Sequence, residues 1–141
     1  MKKLLVFPFL VVAMIVGCTS QKTVTTAAAT GTSQDTIRIA NDEIEYEITI
    51  FDPGFNGWFN AHAKPRGYYS QQYLEARNRD WVIGWNMRAS NPSRWGRLIE
   101  FPIDYSATTD YGYEVNYMLY YYLTYFQIVN NIQLGTLRPH P

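Results

Sequence analysis

Between Glu43 and Phe51 the chain alternates strictly, with Ile44, Tyr46, Ile48 and Ile50 on one side and Glu43, Glu45, Glu47 and Thr49 on the other. A period of two with apolar residues on a single face predicts a half-buried β-strand. Asp52-Pro53-Gly54 follows. Pro presets φ at the first central position of a turn and Gly tolerates the positive φ of the second, so a type II turn is expected. Asn56-Gly57 is a further turn signal. Trp58 and Phe59 are therefore expected in a long connection folded back over the core.

From Ser70 the period lengthens. Ser70 is a helix N-cap residue, and Tyr69 and Leu74 stand where a hydrophobic staple would cross it. The helix is expected to run to about Arg88, with Leu74, Arg77, Trp81 and Trp85 on one face and Val82 beside them. Asn91-Pro92 ends it. Leu98 to Tyr105 alternates again, placing Ile99, Phe101, Ile103 and Tyr105 together, and Pro102 marks an edge or bulged strand.

A last helix is expected from near Asp110 to Leu134, with Gly135 as its left-handed C-terminal residue. No charged residue lies between Glu114 and Arg138, which raises the question of a membrane span. Asn116, Gln127, Asn130, Asn131 and Gln133 would each be costly in hydrocarbon, so a packed aromatic helix is expected instead. Its polar stripe would run through Asn116, Thr124, Gln127 and Asn131. The order β-α-β-α predicts a small two-layer α+β domain, two or three strands covered by two helices, with Ile37-Arg38-Ile39 as the short third strand. Two adjacent strands joined through a helix would be parallel, with a right-handed crossover.

Ahead of this domain the pattern changes again. Lys2 and Lys3 precede an apolar run from Leu4 to Val16, which has the length of a secretory leader and is too short for a stable span. Ile15-Val16-Gly17-Cys18 resembles the bacterial lipobox. By that resemblance residues 1–17 are a lipoprotein signal peptide, and Cys18 is lipidated and becomes the acylated amino terminus. The bilayer is then a partner through several acyl chains, a stable anchor where one chain would be marginal. Thr19 and Ser20 follow the cysteine in place of an acidic residue, which by analogy points to the outer membrane, facing the periplasm. Residues 18–36 are the lipidated cysteine and a Thr/Ser/Ala-rich tether that cannot bury a core, with ends roughly 25 Å apart as a flexible coil.

Residues 37–141 make a single globular domain of ordinary size. Of the 12 Lys and Arg, two leave with the leader, and the remaining ten face 12 Asp and Glu, a net charge of −2. That excludes the strongly basic surface expected of a nucleic-acid binder. Cys18 is the only cysteine, so once lipidated it leaves no thiol for a disulfide, a nucleophile or a metal ligand. All 12 tyrosines and all 4 tryptophans belong to the domain.

Catalytic chemistry has little to work with. Glu43, Glu45, Glu47, Glu100 and Asp104 would gather if the two predicted strands stacked, but no calcium loop frames them, and ion pairing with the arginines or solvent exposure is expected. His62 and His140 are the only histidines, too few for a zinc site. His62 is expected to bond a backbone carbonyl. No catalytic residue, metal or cofactor is assigned.

Arg66-Gly67-Tyr68-Tyr69-Ser70-Gln71 and Tyr111-Gly112-Tyr113-Glu114-Val115-Asn116-Tyr117 resemble blocks of a family of small uncharacterised bacterial lipoproteins. The resemblance covers roughly Glu43 to Pro139 and implies a lipoprotein with one domain, without any assigned activity or cofactor. The leading expectation is a non-catalytic envelope lipoprotein, a binding or assembly module for an envelope protein. The alternative is a carbohydrate- or peptidoglycan-binding domain using Arg66, Tyr68, Tyr69, Trp58 and Trp95, which fall in segments read as loops. A cell-wall hydrolase, built on His62 or on Asp52 with Asp104, is the third reading.

Overall fold

The computed structural model describes residues 36–141; the expected signal peptide, Cys18 and the expected tether lie outside the described residues, except Thr36, which was expected in the tether and is the first residue of the first strand. The fold is a small α+β domain. Two strands come first, β1 (Thr36–Asn41) and β2 (Tyr46–Phe51), then helices α1 (Phe55–His62), α2 (Gln71–Ala89), the single turn α3 (Pro92–Trp95) and α4 (Gly112–Val129). Helix α4 is the centre, packed against α1, α2 and β1.

The strands form an antiparallel hairpin with Thr36 opposite Phe51 and Asn41 opposite Tyr46. The alternation seen in sequence survives in β2, where Ile50 is buried, Tyr46 and Ile48 are half-buried, and Glu47, Thr49 and Phe51 face out. Residues 42–45 form the hairpin turn, so Glu43, Ile44 and Glu45, expected in that strand, lie in the turn, with Glu45 in the left-handed region at φ 53°. The partner strand is the Ile37-Arg38-Ile39 segment. Leu98 to Tyr105 stays outside the sheet, and parallel pairing through a crossover does not arise.

The reason lies in what satisfies its backbone. Pro102 has no N–H to give a ladder. Trp85 Nε1 donates to the Phe101 carbonyl at 2.9 Å, and Asn86 both donates to the Ile103 carbonyl and accepts from its N–H, each at 2.8 Å. Tyr46 donates to the Asp104 carbonyl. Side chains of α2 and β2 therefore take the place of a neighbouring strand. Ile99 is buried while Phe101 is 70% exposed, so the expected common face is broken.

Three further expectations change for local reasons. Gly54 sits at φ −82°, not in the positive region of a type II turn, and the Asp52 carboxylate accepts its N–H at 2.9 Å. Asn56-Gly57 then continues into α1, which carries Trp58 and Phe59 on a helix instead of a connection. Helix α4 stops at Val129, before Leu134: Asn131 takes the left-handed conformation at φ 51°, its N–H reaches the Ile128 carbonyl, and Ile132 N–H reaches the Gln127 carbonyl. Those two bonds are a Schellman cap, with Asn in the place expected for Gly135.

Three of the four residues of the predicted polar stripe of α4 are inside, while Asn131 is exposed beyond the helix end. Asn116 and Thr124 are fully buried, as is Gln127 but for 1%. Asn116 accepts from Tyr105 Oη at 2.6 Å and from Asn78 Nδ2 at 3.1 Å, and gives its own amide to the Gly112 carbonyl. Gln127 accepts from Leu134 N–H at 2.8 Å. Buried amides are tolerated because they bridge α4 to its neighbours. Helix α2 follows expectation more closely, with Ser70 Oγ accepting from Tyr73 N–H at its start and Pro92 beyond its end. Leu74, Trp81, Val82 and Trp85 are buried.

The segment after α4 runs back along α2. Arg88 donates to the carbonyls of Gln133 and Leu134, Asp80 accepts from the N–H groups of Thr136 and Leu137, and Trp81 Nε1 donates to the Leu137 carbonyl. Arg77 reaches the Arg138 carbonyl, and Tyr120 Oη the His140 carbonyl at 2.7 Å. Among the described residues no helix is long and apolar enough to cross a membrane.

Candidate functional site

Tyr113, Tyr117, Tyr121 and Tyr125 recur every four residues and so share one face of α4. Each hydroxyl meets the chain between Asp52 and Tyr69. Tyr125 donates to the Asp52 carboxylate at 2.9 Å, Tyr121 accepts from Lys64 N–H at 2.8 Å, and Tyr117 donates to the Lys64 carbonyl at 2.6 Å. Tyr113 accepts from Gly67 N–H at 2.7 Å and donates to the Tyr69 carbonyl. The loop between α1 and α2 is thus held by tyrosine hydroxyls where a sheet would use backbone. Burial pushes the Tyr121 hydroxyl up to about 12, and does the same to Tyr125.

On this fixed loop Gly67 adopts φ +87°, a conformation costly for residues with a side chain. The turn aims Tyr68 outward. Its ring is 64% exposed and meets Tyr69 edge-on, with centroids 4.8 Å apart. Tyr69 stacks on Tyr73 at 4.6 Å and 11°, and the Arg77 guanidinium lies 5.1 Å from the Tyr73 centroid. Arg66 makes a bidentate pair with Glu114 and sits 4.7 Å above the ring of Tyr117. Arginine on a tyrosine face, fixed by a forked carboxylate bond, is oriented more tightly than a free surface arginine.

Of the five residues proposed from sequence, the fold gathers Arg66, Tyr68 and Tyr69. Trp58 is elsewhere, half-buried on α1, stacked on His62 at 4.8 Å and packed against Tyr125, about 12 Å along α4 from Tyr117. Trp95 lies near the other end of α2, between the guanidinium groups of Arg88 and Arg94 at 5.1 and 5.3 Å. Both rings are half-buried and stand apart from Arg66, Tyr68 and Tyr69. Tyr73, Arg77, Tyr113, Glu114 and Tyr117 join the site without having been singled out as binding residues; the four-residue spacing of the α4 tyrosines was the available signal.

The segments Arg66 to Gln71 and Tyr111 to Tyr117, separated in sequence, are in contact through the Arg66–Glu114, Gly67–Tyr113 and Tyr69–Tyr113 bonds, and Gln71 Nε2 donates at 2.7 Å to the carboxylate of Asp110, just ahead of the second segment. A family model matches residues 5–139. The chain belongs to DUF6146, a family of unknown function. The DUF6146 match spans both contacting segments and begins ahead of Cys18. No curated protein and no solved structure matches the chain.

An open polar cavity of about 550 Å³ lies at the same end of α2 on its opposite flank, lined by Gln71, Glu75, Arg79, Thr108 and Asp110. Gln71 bonds both Glu75 and Asp110, and Arg79 approaches Glu75 at 3.4 Å. Among the described residues no group of three or more His, Asp or Glu side chains is placed to hold a metal ion. The acidic residues near the hairpin do not stack on Glu100 and Asp104, since that second strand is not formed. Glu47 and Asp42 instead meet Arg38 at 3.2 and 3.4 Å. His62 Nδ1 donates to the Trp58 carbonyl at 2.8 Å. Asp52 and Asp104 lie beside opposite ends of β2, which separates the carboxylates of the hydrolase reading.

Proposed function

We propose that this DUF6146 chain is a lipid-anchored bacterial envelope lipoprotein whose domain binds a partner through the face formed by Arg66, Tyr68, Tyr69, Tyr73 and Arg77. The anchor is the acylated Cys18, and the outer membrane facing the periplasm is the proposed address, on the lipobox resemblance alone. The observation that carries the binding reading is Tyr68, an aromatic ring presented to solvent by a loop whose backbone is held at both Gly67 and Tyr69 by Tyr113. A core needs no such residue. Rigid aromatic and arginine side chains give the best contact energy for the least ordering cost, which is why they dominate binding hot spots.

An envelope protein is the favoured partner. The second reading, a glycan such as peptidoglycan, is supported by the exposed ring of Tyr68 alone, since Trp58 and Trp95 are half-buried in other places. The test is affinity capture from detergent-solubilised envelope at native expression, with wild type compared with Tyr68→Ala and Arg66→Ala. A partner recovered with wild type and lost with Y68A supports the proposal; no partner above controls, together with no binding to wall fragments, refutes it. Retention of purified wild type, but not Y68A, on wall fragments selects the glycan reading. Metabolic labelling with a palmitate analogue in wild type and Cys18→Ala tests the anchor, and unchanged labelling in C18A ends it.

A further inference from the structure

Three of the exposed apolar residues of the domain lie near the point at which the chain enters it, while others, Ile83, Met87 and Phe101 among them, belong to α2 and the segment that follows it. Phe51 is 77% exposed and closes β2 directly opposite Thr36, the residue through which the chain arrives from Cys18. The next residue, Asp52, is bonded to Tyr125 at 2.9 Å, and Val129 lies one turn beyond Tyr125 on the same side of α4. Val129 is 57% exposed and its neighbour Ile128 43%. Phe51, Ile128 and Val129 therefore share the end of the molecule at which the tether enters.

Along α4 that end carries no charge, because no charged side chain occurs between Glu114 and Arg138; the charged groups near it are Asp52, bonded to Tyr125, and Arg88, bonded to the Gln133 and Leu134 carbonyls. The opposite end differs in kind. It holds the hairpin turn, Arg66, Tyr68, Glu114 and the polar cavity, joined around the first turns of α2 and α4. Helices α2 and α4 run side by side in the same direction, as the pairs Asn78 with Asn116, Trp81 with Tyr120 and Trp85 with Phe126 require. Single exposed apolar residues need no explanation, but three gathered beside a point of attachment do.

We infer that the end carrying Phe51, Ile128 and Val129 rests on the lipid surface, leaving Tyr68 and Arg66 at the end turned away from it. The inference depends on the reading of Cys18 as a lipid anchor. If residues 19–35 form a flexible coil, its typical span is on the order of 25 Å, so the apolar end would meet lipid at high effective concentration. Shallow insertion of a few apolar side chains adds to an existing anchor.

The test uses the full acylated chain in vesicles of phosphatidylethanolamine and phosphatidylglycerol containing nitroxide-labelled lipid. Since the thiol of Cys18 is blocked by lipid, the variants F51C, V129C, I44C and Y68C each carry one polarity-sensitive fluorophore. Expected are a blue shift and lipid quenching at positions 51 and 129, and water-like, unquenched emission at 44 and 68. Ile44 is the matched control, an exposed apolar residue in the hairpin turn at the other end. Co-flotation with vesicles but water-like emission at all four sites, or equal quenching at all four, overturns the inference while the anchor stands. Shielding of positions 51 and 129 that persists in detergent and grows with protein concentration assigns the face to a second copy and overturns it as well. A chain that neither labels with palmitate nor floats with vesicles overturns both readings.

Discussion

Gly84 on α2 faces the carbonyl of Leu134 so closely that a Cβ at Gly84 would lie 1.7 Å from the carbonyl oxygen. No side chain fits, and the obstacle is backbone, so relief requires the segment after α4 to move. Gly84→Ala is therefore expected to cost about 1–3 kcal/mol, the range for overpacking a closed site. Denaturant unfolding checks the magnitude. Limited proteolysis checks the cause, with new cleavage expected near residue 134 under native conditions.

Asp80 holds the same segment by a second means. Burial pushes its carboxyl up, but the bonds from Leu137 N–H, Thr136 N–H and Thr136 Oγ, with Arg77 nearby, outweigh that and leave it below its ordinary value. A carboxyl lowered in the fold contributes stability that is complete above its unfolded pKa and is lost as pH falls through the folded one. The denaturation midpoint is expected to hold from pH 7 to about 5 and to decline below 4. In Asp80→Asn the midpoint at pH 7 should already be lower and this part of the acid decline absent; an unchanged pH profile refutes the assignment.

The tyrosine hydroxyls bear on the alkaline side. Burial raises Tyr105, Tyr121 and Tyr125 to about 12, so each adds stability that is complete below the ordinary value of 10.0 and is lost as pH rises between these limits. Absorbance at 295 nm is expected to rise late and steeply, together with loss of the near-ultraviolet circular dichroism. Gradual ionisation centred at 10 with the fold intact would contradict it.

Tyr125→Phe and Tyr117→Phe are each expected to cost about 1 kcal/mol, the net worth of one hydrogen bond. Tyr121→Phe leaves Lys64 N–H without its partner and should cost as much or more. Tyr68→Ala is expected to stay within about 0.5 kcal/mol, as an exposed ring should. Loss of partner capture in Y68A without loss of stability separates a binding role from a structural one.

Much of this was legible in the residues. Ser70 as a cap, the Pro92 stop and the alternation of Ile48 and Ile50 follow from local chemistry, and local chemistry decided them. Leu98 to Tyr105 misled because its alternation is real but its backbone is claimed by Trp85 and Asn86, partners that no local pattern identifies. Asn116 and Gln127 misled because polarity reads as exposure until the groups that bond them are known. For the site, Arg66 and Tyr68 were visible as loop residues. Their pairing with Glu114 and Tyr113 depends on a chain reversal through α2, and Trp58 was misplaced because Asn56-Gly57 reads as a turn where α1 forms.

The segment from Leu134 to His140 closes over Trp81 and Tyr120, two of the largest buried rings, and its contacts reach back some sixty residues along the chain. During synthesis from the amino terminus, α2 is therefore finished long before the strip that covers it exists. Until residues 134–140 emerge, Gly84 and the indole of Trp81 lack their cover. Locking of the domain then follows the formation of its helices, and a nascent chain cut short before residue 134 would carry every helix among the described residues yet lack the piece that fastens them.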